Sequence, residues 1–260
     1  MVLPSELNND TIALSHKPGA FIHYTVARSQ EHDAQSVLIV FLNGLMTDKS
    51  SWLSGMAGII RQRKGTAAGF PSMLAYDRYG QGQTEDRDPL DHGREKGHGH
   101  NVADAANDLH HLIGQIFGEG SKHRLLLVGN SIGCAIARIY GHEHPVAAFL
   151  FLDSVMANSD FDVWPNPDAD GFRESELSDD VTVDVLRQQR AKIMAIFNPA
   201  VINREGLSRR DLPGLLPYSD RPILGTEKAR PWISVVGHDF DAFAEENLRV
   251  CILLQKPEGS

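Results

Sequence analysis

The stretch that decides the fold is His123-Arg124-Leu125-Leu126-Leu127-Val128-Gly129-Asn130-Ser131-Ile132-Gly133-Cys134-Ala135-Ile136-Ala137. Four successive apolar residues, 125–128, suit a strand covered on both faces, and the Ala- and Ile-rich run after Ser131 suits a helix. Between them stands Gly129-Asn130-Ser131-Ile132-Gly133, a G-x-S-x-G pattern. A strand that turns at once into a helix crowds its own backbone, and Gly129 and Gly133 remove side chains where the crowding is worst. Such a turn lifts the Ser131 hydroxyl above the end of the sheet. It also places the Ile132 N–H at the positive end of the helix, where a developing oxyanion is stabilised. A Gly-flanked serine in an ordinary turn would share the bare pattern; the strand before it and the helix after it favour a nucleophile elbow.

Outward from this stretch, short apolar runs alternate with longer helical patterns, which predicts a mostly parallel sheet with helices on both faces. Residues 21–26 read as an early antiparallel strand. The run 37–42 is continuously apolar and reads as a strand buried on both sides. Further strands are read at 72–76, 147–152 and 232–236, and helices at 49–63, 102–117 and 132–142. The helix from Val102 carries Asp104 and Asp108 in its first turns and Leu109, Leu112, Ile113 and Ile116 along one face. From 154 to 229 the pattern changes: Trp164-Pro165-Asn166-Pro167 and an acidic stretch precede a helix at 183–197 and a loop rich in Pro, Gly and Arg. This is read as a cap or lid inserted into a single domain spanning 1–260, with Trp164, Phe172 and Met194 as an apolar ceiling over the site.

Composition narrows the class. The 260 residues are 42% hydrophobic, enough for one sizeable core, and carry 25 Lys+Arg against 34 Asp+Glu, a net charge of -9. That balance argues against a surface that tracks nucleic-acid phosphates, which needs clustered positive charge. No apolar run reaches the roughly 18 to 20 residues of a membrane span. With only Cys134 and Cys251, no disulfide framework is read, and the start Met1-Val2-Leu3-Pro4 lacks the pattern of a secretory signal. A cytoplasmic protein acting on a small molecule is expected, with oligomeric state left open.

A second element is Phe41-Leu42-Asn43-Gly44-Leu45-Met46, where a buried strand ends in a Gly-containing loop ahead of a helix that includes Trp52. Two converging N–H groups are needed to hold one developing oxyanion. Ile132 supplies one, and Leu45 or its neighbour Met46 the other. Taken together these residues resemble the α/β-hydrolase family. Tyr76-Asp77-Arg78-Tyr79-Gly80-Gln81-Gly82-Gln83-Thr84 is similar to that family's D-x-x-G-x-G-x-S/T loop. Phe151-Leu152-Asp153 and Val236-Gly237-His238-Asp239 are similar to the ends of its sixth and seventh strands. The texture looks most like fungal members, which often serve secondary-metabolite pathways. Asn43-Gly44 departs from the more frequent His-Gly without touching the backbone donor, and Asp77 reads as a structural turn residue.

The resemblance implies a nucleophile, acid and histidine in that chain order, with Ser131 as nucleophile. Asp239 is the leading acid, Asp153 its competitor, and either would orient an imidazole and stabilise its protonated form. The resemblance also implies a general-base histidine on a loop after an eighth strand, yet no histidine follows His238. The last strand and helix are therefore read as missing or incomplete, with a shortened chain as one account. Neighbouring residues on a strand point to opposite faces, so His238 would pair with Asp153 rather than with Asp239 if it served as the base.

His92, His98 and His100 form a run interleaved with Gly93, Gly97 and Gly99, read as a solvated loop rather than a zinc site because glycines leave the imidazoles unfixed. No metal and no cofactor are expected. Two functions follow. One is a serine hydrolase of an ester, thioester or lactone of a small apolar substrate, with acyl transfer open at the same site. The other is a noncatalytic member that binds a ligand or partner, favoured by the absent base. Relatives that open epoxides or haloalkanes carry Asp at the elbow, where this chain has Ser131.

Overall fold

The computed structural model describes residues 3–29, 37–45, 47–66, 69–120, 122–153, 165–177, 181–219 and 230–237. In chain order the elements are β1 (Asn8–Ala13), β2 (Phe21–Ala27), β3 (Val37–Leu42), α1 (Ser50–Arg63), β4 (Ser72–Tyr76), β5 (His100–Asn101), α2 (Val102–Phe117), β6 (Arg124–Asn130), α3 (Ile132–Glu143), β7 (Ala148–Leu152), α4 (Val183–Phe197), β8 (Leu207–Ser208), α5 (Leu212–Leu215) and β9 (Trp232–Val236). Among the described residues the main sheet has seven strands in the order β1-β2-β4-β3-β6-β7-β9. β1 and β2 run antiparallel to their neighbours, and from β4 through β9 every pairing is parallel.

The two faces of the sheet follow from the alternation of side chains along each strand. On β3, Leu38, Val40 and Leu42 join a core with Leu125 and Leu127 of β6, Leu109 and Leu112 of α2 and Ile136 of α3. Phe41 and Ile39 point the other way, into a smaller core with Met56 and Ile60 of α1, Met73 of β4 and Val128 of β6. A strand with both faces covered must be apolar at every position, which is why its run is continuous. α2 begins with the capping box that its first residues permit: Asn101 Oδ1 accepts from the N–H groups of Ala103 and Asp104, and the Asp104 carboxylate accepts from the Asn101 N–H.

The segment read as a lid divides in two. Its helix α4 is largely exposed, with Val185 44% accessible, and Phe172 and Met194 are half-buried. Its second half is built into the body. β8 pairs in parallel with β5, Leu207, Leu212 and Leu216 belong to the larger core, and the Arg138 guanidinium on α3 donates to the carbonyls of Ser219 and Tyr218. Trp164, the remaining member of the expected ceiling, lies outside the described residues.

The histidine run also departs from expectation. His92 is exposed, but His100 is 3% accessible and its Nδ1 lies 2.8 Å from Asp91 Oδ1. Both ring nitrogens of His98 are buried with no hydrogen-bond partner among the described residues. The glycines have the opposite effect to the one read from sequence. At Gly97 a Cβ would stand 2.6 Å from Ile202 side-chain atoms, and at Gly99 it would collide with Asp91. They let the loop pack closely instead of freeing it. Among the described residues no group of three or more His, Cys, Asp or Glu is arranged to hold a metal ion, and no helix is long and apolar enough to cross a membrane.

Candidate active site

Ser131 stands between β6 and α3 with φ 50° and ψ -120°. It is one of two non-glycine residues of positive φ among those described, the other being Asp153. An L-residue adopts such a backbone only where its surroundings enforce it. The enforcement is visible on both sides. A Cβ at Gly129 would meet the Gly133 carbonyl carbon and the Cys134 nitrogen at 2.8 Å, and one at Gly133 would collide with the Leu42 carbonyl oxygen at the end of β3. Two backbone bonds then fix the turn: Ser131 N–H donates to the Leu152 carbonyl at 3.1 Å, and Cys134 N–H to the Ser131 carbonyl at 2.9 Å. The Ser131 N–H is thus engaged in the sheet, whereas the Ile132 N–H belongs to the first turn of α3, whose donors lack partners within the helix.

The loop after β3 closes on this elbow. A Cβ at Gly44 would lie 2.7 Å from Asn130 Oδ1 and 3.5 Å from Ser131 Cβ, so the loop that carries Leu45 runs close beside the serine, and a larger residue at 44 would displace the Asn130 side chain. Leu45 is partly buried against the larger core, and Met46 lies outside the described residues.

The loop is held from beneath by a buried polar cluster. Asn43, Arg78, Gln81 and Glu205 are 1%, 5%, 3% and 1% accessible. Asn43 Nδ2 donates to the Tyr76 carbonyl at 2.8 Å and to Gln81 Oε1 at 2.9 Å, and its Oδ1 accepts from Trp52 Nε1 at 2.7 Å. Arg78 donates through Nη1 to the Asn43 carbonyl at 2.8 Å and through Nη2 to the Gly44 carbonyl at 3.0 Å. Its Nε donates to Glu205 Oε2 at 2.9 Å. Gln81 Nε2 donates to both the Gly44 carbonyl and Glu205 Oε1, each at 3.0 Å. Asp77 has the structural part read for it: fully buried, it accepts from Lys49 N–H, Lys49 Nζ and Gln83 N–H and ties the start of α1 to the loop after β4. Arg78 and Gln81 were quoted in the sequence only as members of a loop pattern, and Glu205 carries no local signal at all.

Asp153 follows β7, next to the elbow strand. Asn130 is paired with Leu152 and Leu152 with Val236, and Asp153 N–H donates to the Val236 carbonyl at 2.8 Å. Ser131, Asp153 and Gly237 therefore leave the carboxyl ends of three neighbouring parallel strands, where open α/β sheets place their ligands. His238 and Asp239 lie outside the described residues.

A sharp strand-to-helix turn that forces a serine into positive φ, opposed by a glycine loop from the central parallel strand, is a family's architecture as well as a site. The sequence profile of the alpha/beta hydrolase family matches residues 39–249. This chain belongs to the alpha/beta hydrolase family. Among solved structures it is similar to the peroxisomal α/β-hydrolase Lpx1 of Saccharomyces cerevisiae, at 12% identity over 99% of this chain and 92% of that one, with a TM-score of 0.49. It is similar to a hydrolase from Pseudomonas aeruginosa at 16% identity over 88% and 80%, TM-score 0.47. It is also similar to an alpha/beta hydrolase enzyme from a Medee basin deep-sea metagenome library at 18% identity over 58% and 46%, TM-score 0.42. The chain thus spans less than half the length of the metagenomic enzyme. No match was found among curated proteins.

Proposed function

We propose that this alpha/beta hydrolase is a serine hydrolase that cleaves an ester, thioester or lactone of a small apolar substrate. The observation that carries the reading is Ser131 at φ 50°, ψ -120°, a strained position with the Gly44 loop against it. In this reading Ser131 Oγ attacks the carbonyl carbon while a base takes its proton. The Leu45 and Ile132 N–H groups receive the negative charge on the carbonyl oxygen, and the leaving group departs with a proton returned from the base. Water then attacks the acyl-enzyme and releases the acid. His238 is the candidate base and Asp153 the acid that would orient it, since Asp239, the family-order candidate for the acid, is its neighbour in the chain. In this reading the helix 183–197 acts as a cap and the half-buried Phe172 and Met194 contribute to an apolar ceiling, which favours an apolar acyl or alcohol portion. A cytoplasmic setting and a place in a fungal secondary-metabolite route belong to the same reading and rest on composition and resemblance.

The test is labelling by a fluorophosphonate probe. Labelling of the folded protein that disappears in Ser131→Ala supports an activated serine. Absence of labelling in soluble, folded protein overturns the hydrolase reading and leaves the second one, a ligand- or partner-binding member. A His238→Ala variant that retains full ester turnover would remove His238 as the base.

A further inference from the structure

We propose that Arg78, Gln81 and Glu205 are positioning residues that set the oxyanion donor of the loop after β3; the inference rests on the reading of Ser131 as a nucleophile. Two successive peptide units are gripped. The Asn43 carbonyl accepts from Arg78 Nη1 at 2.8 Å. The Gly44 carbonyl accepts from Arg78 Nη2 at 3.0 Å, Gln81 Nε2 at 3.0 Å and Thr47 Oγ1 at 3.2 Å. Peptide units are planar and trans, so the carbonyl of Gly44 and the N–H of Leu45 point in opposite directions. Holding the carbonyl toward the buried guanidinium turns the Leu45 N–H away from it, on the residue next to Gly44, where an added Cβ would stand 3.5 Å from Ser131 Cβ. Three donors on one carbonyl also draw electron density from the amide, which makes its N–H a stronger donor.

The grip needs a charge, and the charge needs a counterion. Arg78 is 5% accessible, and an unpaired guanidinium at that depth would be expelled or would disrupt its surroundings. Glu205 meets it at 2.8 Å from Nη2 and accepts from Gln81 as well. The bonds described for Glu205 are accepted from Arg78 and Gln81. Its part is to hold the two side chains that hold the loop, and it comes from the inserted segment rather than from the strands that build the site. Arg78 thus spends one face on Glu205 and two N–H groups on adjacent carbonyls, a planar fork geometry that lysine cannot reproduce.

The experiment compares Arg78→Lys and Glu205→Gln with wild type in hydrolysis of p-nitrophenyl esters, normalised to the number of sites titrated by a fluorophosphonate. The expected result is a fall in kcat of about 10- to 100-fold, short of or equal to the loss of a whole oxyanion donor. KM should stay within about threefold, because the donor acts mainly on charge that develops in the transition state. Affinity for a trifluoromethyl ketone inhibitor should weaken in parallel with kcat. A purely structural role would lower the titrated fraction and leave kcat per titrated site and inhibitor affinity unchanged, and that result overturns the inference. Gln81→Met, which leaves Arg78 and Glu205 paired, carries the same comparison if either charged-site variant fails to fold. Wild-type protein without Ser131-dependent labelling overturns the hydrolase reading itself, and the positioning role falls with it.

Discussion

Gly133 on α3 lies directly against the carbonyl of Leu42 at the end of β3, so closely that a Cβ would overlap that oxygen and stand 2.9 Å from the Asn43 oxygen. The obstacles are backbone atoms of a central strand and its loop, which cannot swing aside as a side chain would. Gly133→Ala is therefore expected to destabilise the fold by about 1–3 kcal/mol or more, read as a lower urea midpoint with an unchanged slope. It should also push the β3 loop away from Ser131 and slow fluorophosphonate labelling of whatever remains folded.

Ser131 predicts the reverse trade. A residue held at φ 50° pays for its backbone, while glycine adopts that region freely. Ser131→Gly should abolish labelling and raise stability by an amount on the order of 1 kcal/mol, read as a higher thermal midpoint. A Gly variant less stable than wild type would show that the serine is not strained.

Lys17 offers a test of buried charge away from the site. Its Nζ lies 2.6 Å from Asp88 and 2.7 Å from Asp108, with all three side chains almost fully buried. Burial already pushes the Asp108 carboxyl above its usual range in spite of Lys17. Lys17→Met removes the ammonium shared by the two buried carboxylates, leaving the His16 imidazole on Asp108 and His100 near Asp88, and should cost about 3–5 kcal/mol in chemical denaturation. Adding Asp108→Asn should recover part of that loss.

A pH dependence is expected from the histidines at the far end of α2 and α3. His110 and His144 stack with ring centroids 3.9 Å apart, and His16 and His111 approach to 4.0 Å. Partial burial first, and neighbouring imidazoles second, hold His111 and His144 below the ordinary histidine value. The fold thus favours their neutral forms, so the unfolded chain binds more protons as the pH falls through about 6.5. Their contribution to stability is present above that pH and is lost progressively below it. The thermal midpoint should drop between about pH 7 and pH 5, and His144→Gln should flatten the drop; an identical profile in that variant would locate the dependence elsewhere.

The parts of the fold that were legible in the sequence are those where local chemistry and final surroundings agree. β3 and β4 begin and end where their apolar runs do, and α2 spans the residues its pattern predicts, because each is fixed by its own burial; β9 also matches its apolar run, although Trp232, Val235 and Val236 are exposed and its pairing with β7 holds it. β1 was not read. Its Asn8-Asn9-Asp10 start is polar because an edge strand is open to solvent, and it is a strand only because β2 pairs with it. β5 and β8 are two-residue bridges far apart in the chain, with no periodicity to display. At the site, Ser131 announced itself through Gly129 and Gly133, which backbone crowding requires, and the loop after β3 through its Asn43-Gly44 turn. Glu205 did not, since a lone carboxylate in a loop looks like a solvated one until Arg78 is placed against it.

That Glu205 and Ser219 lie in the second half of the segment 154–229, read from sequence as a cap, bears on how this protein can be rebuilt. Residues 198–219 are not a detachable cover: removing them would strand Arg78 without its counterion and take away the carbonyls that Arg138 binds. A graft intended to change substrate scope should replace the exposed helix Val183–Phe197 and rejoin the parent chain before Asn198. In modular terms, the seam between scaffold and interchangeable part runs through the insertion rather than around it.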